Sequence, residues 1–140
     1  LVRVLVLVTL GRWLGTLSWA VLVGMHALRL IGVWFLILGA QGVLASSFAT
    51  RAGWGDIVAA LGAVGLAFAG PRPRMLAYLW NSFGLLDLLV AVGTATAVVQ
   101  SGAVPGVQPL THLPLNLVPT FFVPFFIASH IAIYRRLNVV

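Results

Sequence analysis

The sequence predicts an all-α fold: one polytopic transmembrane bundle of about five helices, forming a single domain over residues 1–140. Three observations carry this. Hydrophobic residues make up 61% of the chain and charged residues 7%, and the mean hydropathy is +1.12. A soluble domain needs several times that charge to wet its surface, so a bilayer is the matching solvent. The apolar residues also fall into long runs separated by short Gly-, Pro- and Arg-containing breaks, as a hydrocarbon core about 30 Å thick requires.

The first run, Leu1–Val23, contains Arg12 and the small-residue spacing Gly11-x-x-x-Gly15, which allows two helix backbones to approach closely in lipid. With no initiator Met and no signal-peptide pattern, Leu1 reads as an internal position. Gly24–Arg29 is the first expected break, with a second helix over Leu30–Leu44. The alternative is a first helix truncated at Arg12 and one long helix from Trp13 to Leu44. It would span about 48 Å at 1.5 Å per residue, which overshoots the bilayer. Ala45–Gly55 reads as a polar loop. Asp56 then opens the third helix, which runs to Ala69, and there it would complement the helix dipole and pair with Arg51. Gly62 and Gly65 suit this helix for tight packing.

Gly70–Arg74 (GPRPR) is the clearest punctuation, with two prolines that end helices and two arginines at a membrane face. The fourth helix is expected over Met75–Gln100 and includes Gly84 and Asp87. Ser101–Asn116 is the longest connection, apolar enough to lie in the interface. The last helix, Leu117–Leu137, tolerates Pro119 in its first turn and should kink at Pro124. In the five-helix arrangement Arg29, Arg72, Arg74, Arg135 and Arg136 share one face, opposite Arg3 and Arg51. The majority face is expected in the cytoplasm, with the C-terminus there and the N-terminus outside. The implied location is a bacterial inner membrane.

The net charge of +6 comes from eight arginines against Asp56 and Asp87 alone. Without an aqueous domain to carry a basic patch, the arginines point to lipid phosphates and not to nucleic acid. The absence of Cys excludes disulfides and thiolate chemistry. Asp87 falls near the middle of its helix, where an unpaired carboxylate is costly, so it should be protonated or paired within the bundle. Arg12 matches it in depth, and Arg29 takes that place in the alternative topology. Either pair fixes helix register or serves as a proton relay. His26 and His130 are candidate axial ligands for a tetrapyrrole, although the five-helix arrangement separates them by about 8–9 Å in depth. Ser129 and His130 are chain neighbours on different helix faces, the two aspartates are expected at different depths, and no metal spacing or phosphate loop is present. No catalytic constellation supports an enzyme.

Trp80–Leu88 (WNSFGLLDL), Gly53–Ile57 (GWGDI) and Pro119–Pro124 (PTFFVP) resemble segments of an uncharacterised family of small polytopic bacterial membrane proteins, over about Met25–Leu137. The resemblance implies a membrane location and no transferable activity. The Gly-rich apolar helices are also similar to those of DoxX-like four-helix proteins. The expected role is a non-catalytic accessory subunit packing on other membrane proteins, or binding lipid or pigment. The alternatives are a proton-coupled or small-solute transporter using Asp87 with Arg12, and a haem or chlorin protein using His26 and His130.

Overall fold

A computed structural model of the chain describes residues 2–71 and 73–139, with side chains from Thr9 onward. The arginines at positions 3 and 72, used above in counting charge, lie outside the described side chains. Among the described residues the fold is all-α, with five helices. These are α1 (Val2–Thr16), α2 (Trp19–Ala40), α3 (Ser46–Ala69), α4 (Arg74–Ser101) and α5 (Val118–Val139). The last four are long and apolar enough to cross a membrane. The 15 residues of α1 fall short of the roughly 20 a span needs.

The helix boundaries correct two expectations in the first half. Gly24–Arg29 is not a break: α2 runs through it, tightening into a 3₁₀ stretch over Met25–Ile31. Nothing in GMHALR removes a backbone donor, and an open turn there would leave peptide groups unsatisfied in the bilayer. The break falls instead at Leu17–Ser18, where extended Ser18 caps α2 by accepting from the Val21 N–H. Ser46–Gly55 is likewise helix, so Asp56 lies mid-helix, far from a first turn. The turn is short, residues 41–45, and the Ala45 N–H bonds to the Gly106 carbonyl in the long α4–α5 connection. That connection folds over this end of the bundle and buries Val107 and Leu110.

Helices α3 and α4 both end on glycines with positive φ, Gly70 at 77° and Gly102 at 64°, a conformation that lets the chain turn away from the last helical carbonyls without Cβ strain. The start of α5 is a π-helical turn, Val118–Phe122, which contains Pro119; the α-helix begins at Val123, one residue before Pro124. Pro124 has no N–H to offer the preceding turn, and the longer π-type bonding reassigns the carbonyls it leaves.

Helices α2 to α5 pack in chain order up and down, α5 also touches α2, and α1 lies against α5. Arg136 Nη1 donates to the Leu17 carbonyl at 2.8 Å, and Arg74 Nη2 caps the Leu137 carbonyl. The starts of α2 and α4 and the end of α5 are therefore at one end, the basic end. This is the alternation that the five-helix arrangement expects of its last four helices, except that Arg29 lies at mid-helix and not at that face.

Two apolar clusters fill the bundle. One at the basic end contains Leu14, Trp19, Leu66, Trp80 and Ile133. The other, at the loop end, contains Phe35, Leu44, Phe48, Val98 and Val118. Of the glycines expected to mediate packing, Gly62 does so. A Cβ there would come within 2.5 Å of the Trp80 ring, whose Nε1 donates to the Ala59 carbonyl. Gly84 also packs closely, as described below. Gly15 and Gly65 face open space, and Gly11 makes only ordinary contact with Arg135. The closest backbone approach is elsewhere: a Cβ on Gly32 of α2 would stand 2.5 Å from the Gly53 carbonyl oxygen and 2.7 Å from Asp56 Cβ of α3. Gly32→Ala is therefore expected to lower the unfolding midpoint in mild detergent, by overpacking worth about 1–3 kcal/mol. Gly65→Ala should leave it unchanged or raised.

Candidate functional site

Arg29, Asp56 and Asp87 occupy the middles of their helices: residue 11 of 22 in α2, residue 11 of 24 in α3 and residue 14 of 28 in α4. Equal depth makes them neighbours. The Arg29 side chain is 1% exposed, and its planar fork is fully directed. Nε donates to Asp56 Oδ1 at 2.7 Å, Nη2 pairs with Asp87 Oδ2, and Nη1 donates to the Gly84 carbonyl at 3.1 Å. One cation thus joins two carboxylates and a backbone carbonyl from two other helices. A guanidinium suits this role because its donors diverge in one plane and its charge is permanent.

Small residues make the junction possible. A Cβ on Gly55 would overlap the Asp87 carboxylate, and one on Gly84 would stand 2.6 Å from His130 Cε1 and 3.2 Å from Arg29 Nη1. Gly84 therefore opens the space in which Arg29 and His130 meet.

A histidine layer lies on the basic-end side of this triad. His26 and His130 are fully buried, and their ring centroids are 4.3 Å apart. Ser129 Oγ lies 2.9 Å from the Phe126 carbonyl oxygen and 2.8 Å from His26 Nε2, within hydrogen-bonding distance of both. His130 Nδ1 bonds to Asn81 Oδ1 at 2.7 Å while Asn81 Nδ2 donates to the His130 carbonyl, so Nδ1 carries the proton. The remaining nitrogens, His26 Nδ1 and His130 Nε2, are buried without a hydrogen-bond partner. With the His130 proton on Nδ1, His130 Nε2 is a bare acceptor. Trp80 meets His26 edge-on and Phe126 stacks on it.

These contacts revise several expectations. Asp87 is half-buried and paired within the bundle as expected, and its partner is Arg29, as in the alternative topology; Arg12 is exposed on α1 and does not reach it. The two aspartates share one depth and one guanidinium, and Arg51 has no part in holding Asp56. The histidines are adjacent instead of being separated in depth. Rings this close leave no space for a macrocycle between them, so they do not form the axial clamp of a tetrapyrrole. His112 is exposed in the α4–α5 connection. Among the described residues no group of three His, Asp or Glu side chains is placed to hold a metal ion. The role of Asp56 was missed because Ser46–Gly55 reads as a polar loop. The available signal was arithmetic: a chain with only two acids and an arginine in an apolar run can neutralise that arginine only by bringing acids to it.

Two spaces flank the triad. A cleft of about 490 Å³ between α3 and α4 is lined by Ser47, Arg51, Val90, Thr94 and Ser101 among others. It runs from the loop end to Val90, less than one helical turn from Asp87 and on the same face. A smaller cavity of about 180 Å³, on whose wall Arg29 and Asp56 stand, lies against α2 and α5. Asp87 and Asp56 keep 10% and 12% of their side-chain surface accessible.

A family model described as a domain of unknown function (DUF8737) matches residues 3–138. No curated protein and no solved structure matches the chain. Removing Arg29 alone should be severe, since it strands two carboxylates in the bundle. Arg29→Met is expected to cost about 3–5 kcal/mol or prevent folding. The triple variant Arg29→Met, Asp56→Asn, Asp87→Asn should recover much of that loss, measured as folded yield and thermal midpoint in detergent.

Proposed function

This chain belongs to the DUF8737 family, which carries no assigned activity, and from its own residues we propose that it is a proton-coupled membrane carrier whose proton site is the Asp56–Arg29–Asp87 triad. The observation that carries the reading is a charge imbalance at mid-depth. One permanent cation faces two carboxylates, leaving one negative charge in excess if both are ionised. An uncompensated charge at the bilayer centre is expensive, so neutrality calls for one proton, or one cation from outside the triad. A site that must hold one proton, and can release it only against compensation, is the elementary unit of proton coupling.

The surroundings favour Asp87 as the exchanging group. Its stripe on α4 continues into the cleft through Val90, Thr94 and Ser101, which gives water a route from the loop end. On the basic-end side, Leu14, Trp19, Leu66, Trp80 and Ile133 close the bundle. Between that seal and the triad stand His26 and His130 with their bare nitrogens, and His130 Nε2 is across Gly84 from Arg29. A proton leaving the triad toward the basic end has acceptors waiting. Asp87 is thus the exchanging acid, the histidines the onward acceptors, and Arg29 the fixed counter-charge that sets their spacing. With Arg74, Arg135 and Arg136 at the basic end, that end is cytoplasmic, the cleft opens outward, and the C-terminus is inside.

A second reading, a subunit packing on a larger membrane complex, is supported by α4, which buries only 22% of its apolar window and leaves most of it for lipid or a partner helix. Co-purification of a stoichiometric partner in mild detergent would favour it.

Proteoliposomes holding a pH-sensitive dye, with a potassium diffusion potential imposed by valinomycin, test the carrier. The wild-type protein should move protons faster than empty liposomes. Asp87→Asn should slow this by about 100-fold or more, as loss of a positioned acid–base group does. Equal rates for the two proteins, or no wild-type flux, would count against the reading.

A further inference from the structure

The cavity beside Arg29 and Asp56 has no part in the proton route, and its chemistry is specific. Its walls are apolar, with Leu28 and Ile31 from α2, Leu88 from α4, and Phe122 and Phe126 from α5. Leu28 is 59% exposed on the outer surface, so the mouth faces the acyl chains and not an aqueous end. The π-helical turn Val118–Phe122 forms part of the wall, as such turns often do at ligand sites. At the back stand two charged groups with unused hydrogen-bonding capacity. Three of the five Arg29 N–H groups are taken by Asp56, Asp87 and the Gly84 carbonyl. Asp56 accepts from Arg29 through Oδ1, and part of its side chain remains accessible.

We propose that this cavity binds a lipophile whose ring-sized head carries a hydroxyl group, a phenol or hydroquinone, entering from the bilayer between α2 and α5. The volume, about 180 Å³, suits one six-membered ring: an apolar cavity of roughly 150 Å³ accepts benzene. A hydroxyl matches the back wall because it both donates and accepts. It donates to the Asp56 carboxylate and accepts from a spare Arg29 N–H. An ether can only accept, and an alkyl head can do neither. An anionic head would add a charge with no cation left to balance it, since the one guanidinium already faces the triad's carboxylates, and a bulky headgroup would exceed the space. Phe122 and Phe126 supply ring faces for stacking, and the lipophile's tail remains among the acyl chains beside Leu28.

The test uses 4-octylphenol and its methyl ether, 4-octylanisole, as probes, with the intact chain in lipid nanodiscs. Binding is read by equilibrium dialysis against empty nanodiscs. The phenol should bind saturably, one per chain, and the ether about 10-fold more weakly, the worth of one hydrogen bond to a charged group. Val123→Phe, which fills the cavity while leaving every charge in place, should weaken phenol binding by a similar factor or more. If that variant does not fold, Leu28→Trp at the exposed rim serves the same purpose. Uptake no greater than into empty nanodiscs, equal binding of phenol and ether, or binding unaffected by the filling variants would overturn the proposal. These outcomes are independent of proton flux through Asp87, so failure here leaves the carrier reading standing, and failure of the flux experiment leaves this one.

Discussion

A guanidinium held between two carboxylates at the centre of an apolar bundle is a demanding arrangement. The attraction is strong where water is scarce, but so is the cost of taking three charges out of water, and only close, directed geometry offsets it. Here the fork of Arg29 is used in three directions, on Asp56, on Asp87 and on the Gly84 carbonyl. Removing Arg29 would strand both carboxylates, so this junction fixes the relative depth of α2, α3 and α4.

The packing around the junction follows from its needs. Gly32 and Gly53 bring α2 and α3 together at Asp56, Gly55 makes room for the Asp87 carboxylate, and Gly84 makes room for His130. In lipid there is no hydrophobic drive between helices, so such close contact must come from small residues and directed polar bonds. The apolar clusters then pack above and below the layer, with the α3–α4 cleft open toward the loop end. Among the fully buried polar atoms of this layer, the two histidine nitrogens His26 Nδ1 and His130 Nε2 are without a hydrogen-bond partner.

Much of the architecture was legible in the sequence. Apolar run length gave the spans from Arg74 to Ser101 and from Val118 to Val139 nearly to the residue, and GPRPR marked the α3–α4 turn. Asp87 stood out as a carboxylate that needed a partner inside the bundle. The N-terminal half was harder, because Gly24–Arg29 and Ser46–Gly55 carry polar and small residues that suggest turns in water. In a bilayer such residues remain helical, since an unpaired peptide group costs more than a weak helix former. Misplacing those two segments moved Arg29 to a membrane face and Asp56 to a helix start, which hid the triad and the histidine pair together. Small-residue spacing misled in the same way: Gly11-x-x-x-Gly15 is a surface feature, while the glycines in real contact follow no simple spacing. Only tertiary packing identifies them.

The central claim is that the triad carries one carboxylate more than its cation can balance, and therefore holds one exchangeable proton. Infrared spectroscopy of the protein in lipid at neutral pH measures this directly through the carboxylic C=O stretch. The account predicts a band equal to one protonated side-chain carboxyl per chain, shifted on transfer to D₂O and absent from the Asp56→Asn, Asp87→Asn double variant. A wild-type spectrum with no such band, both carboxylates being ionised, would contradict it.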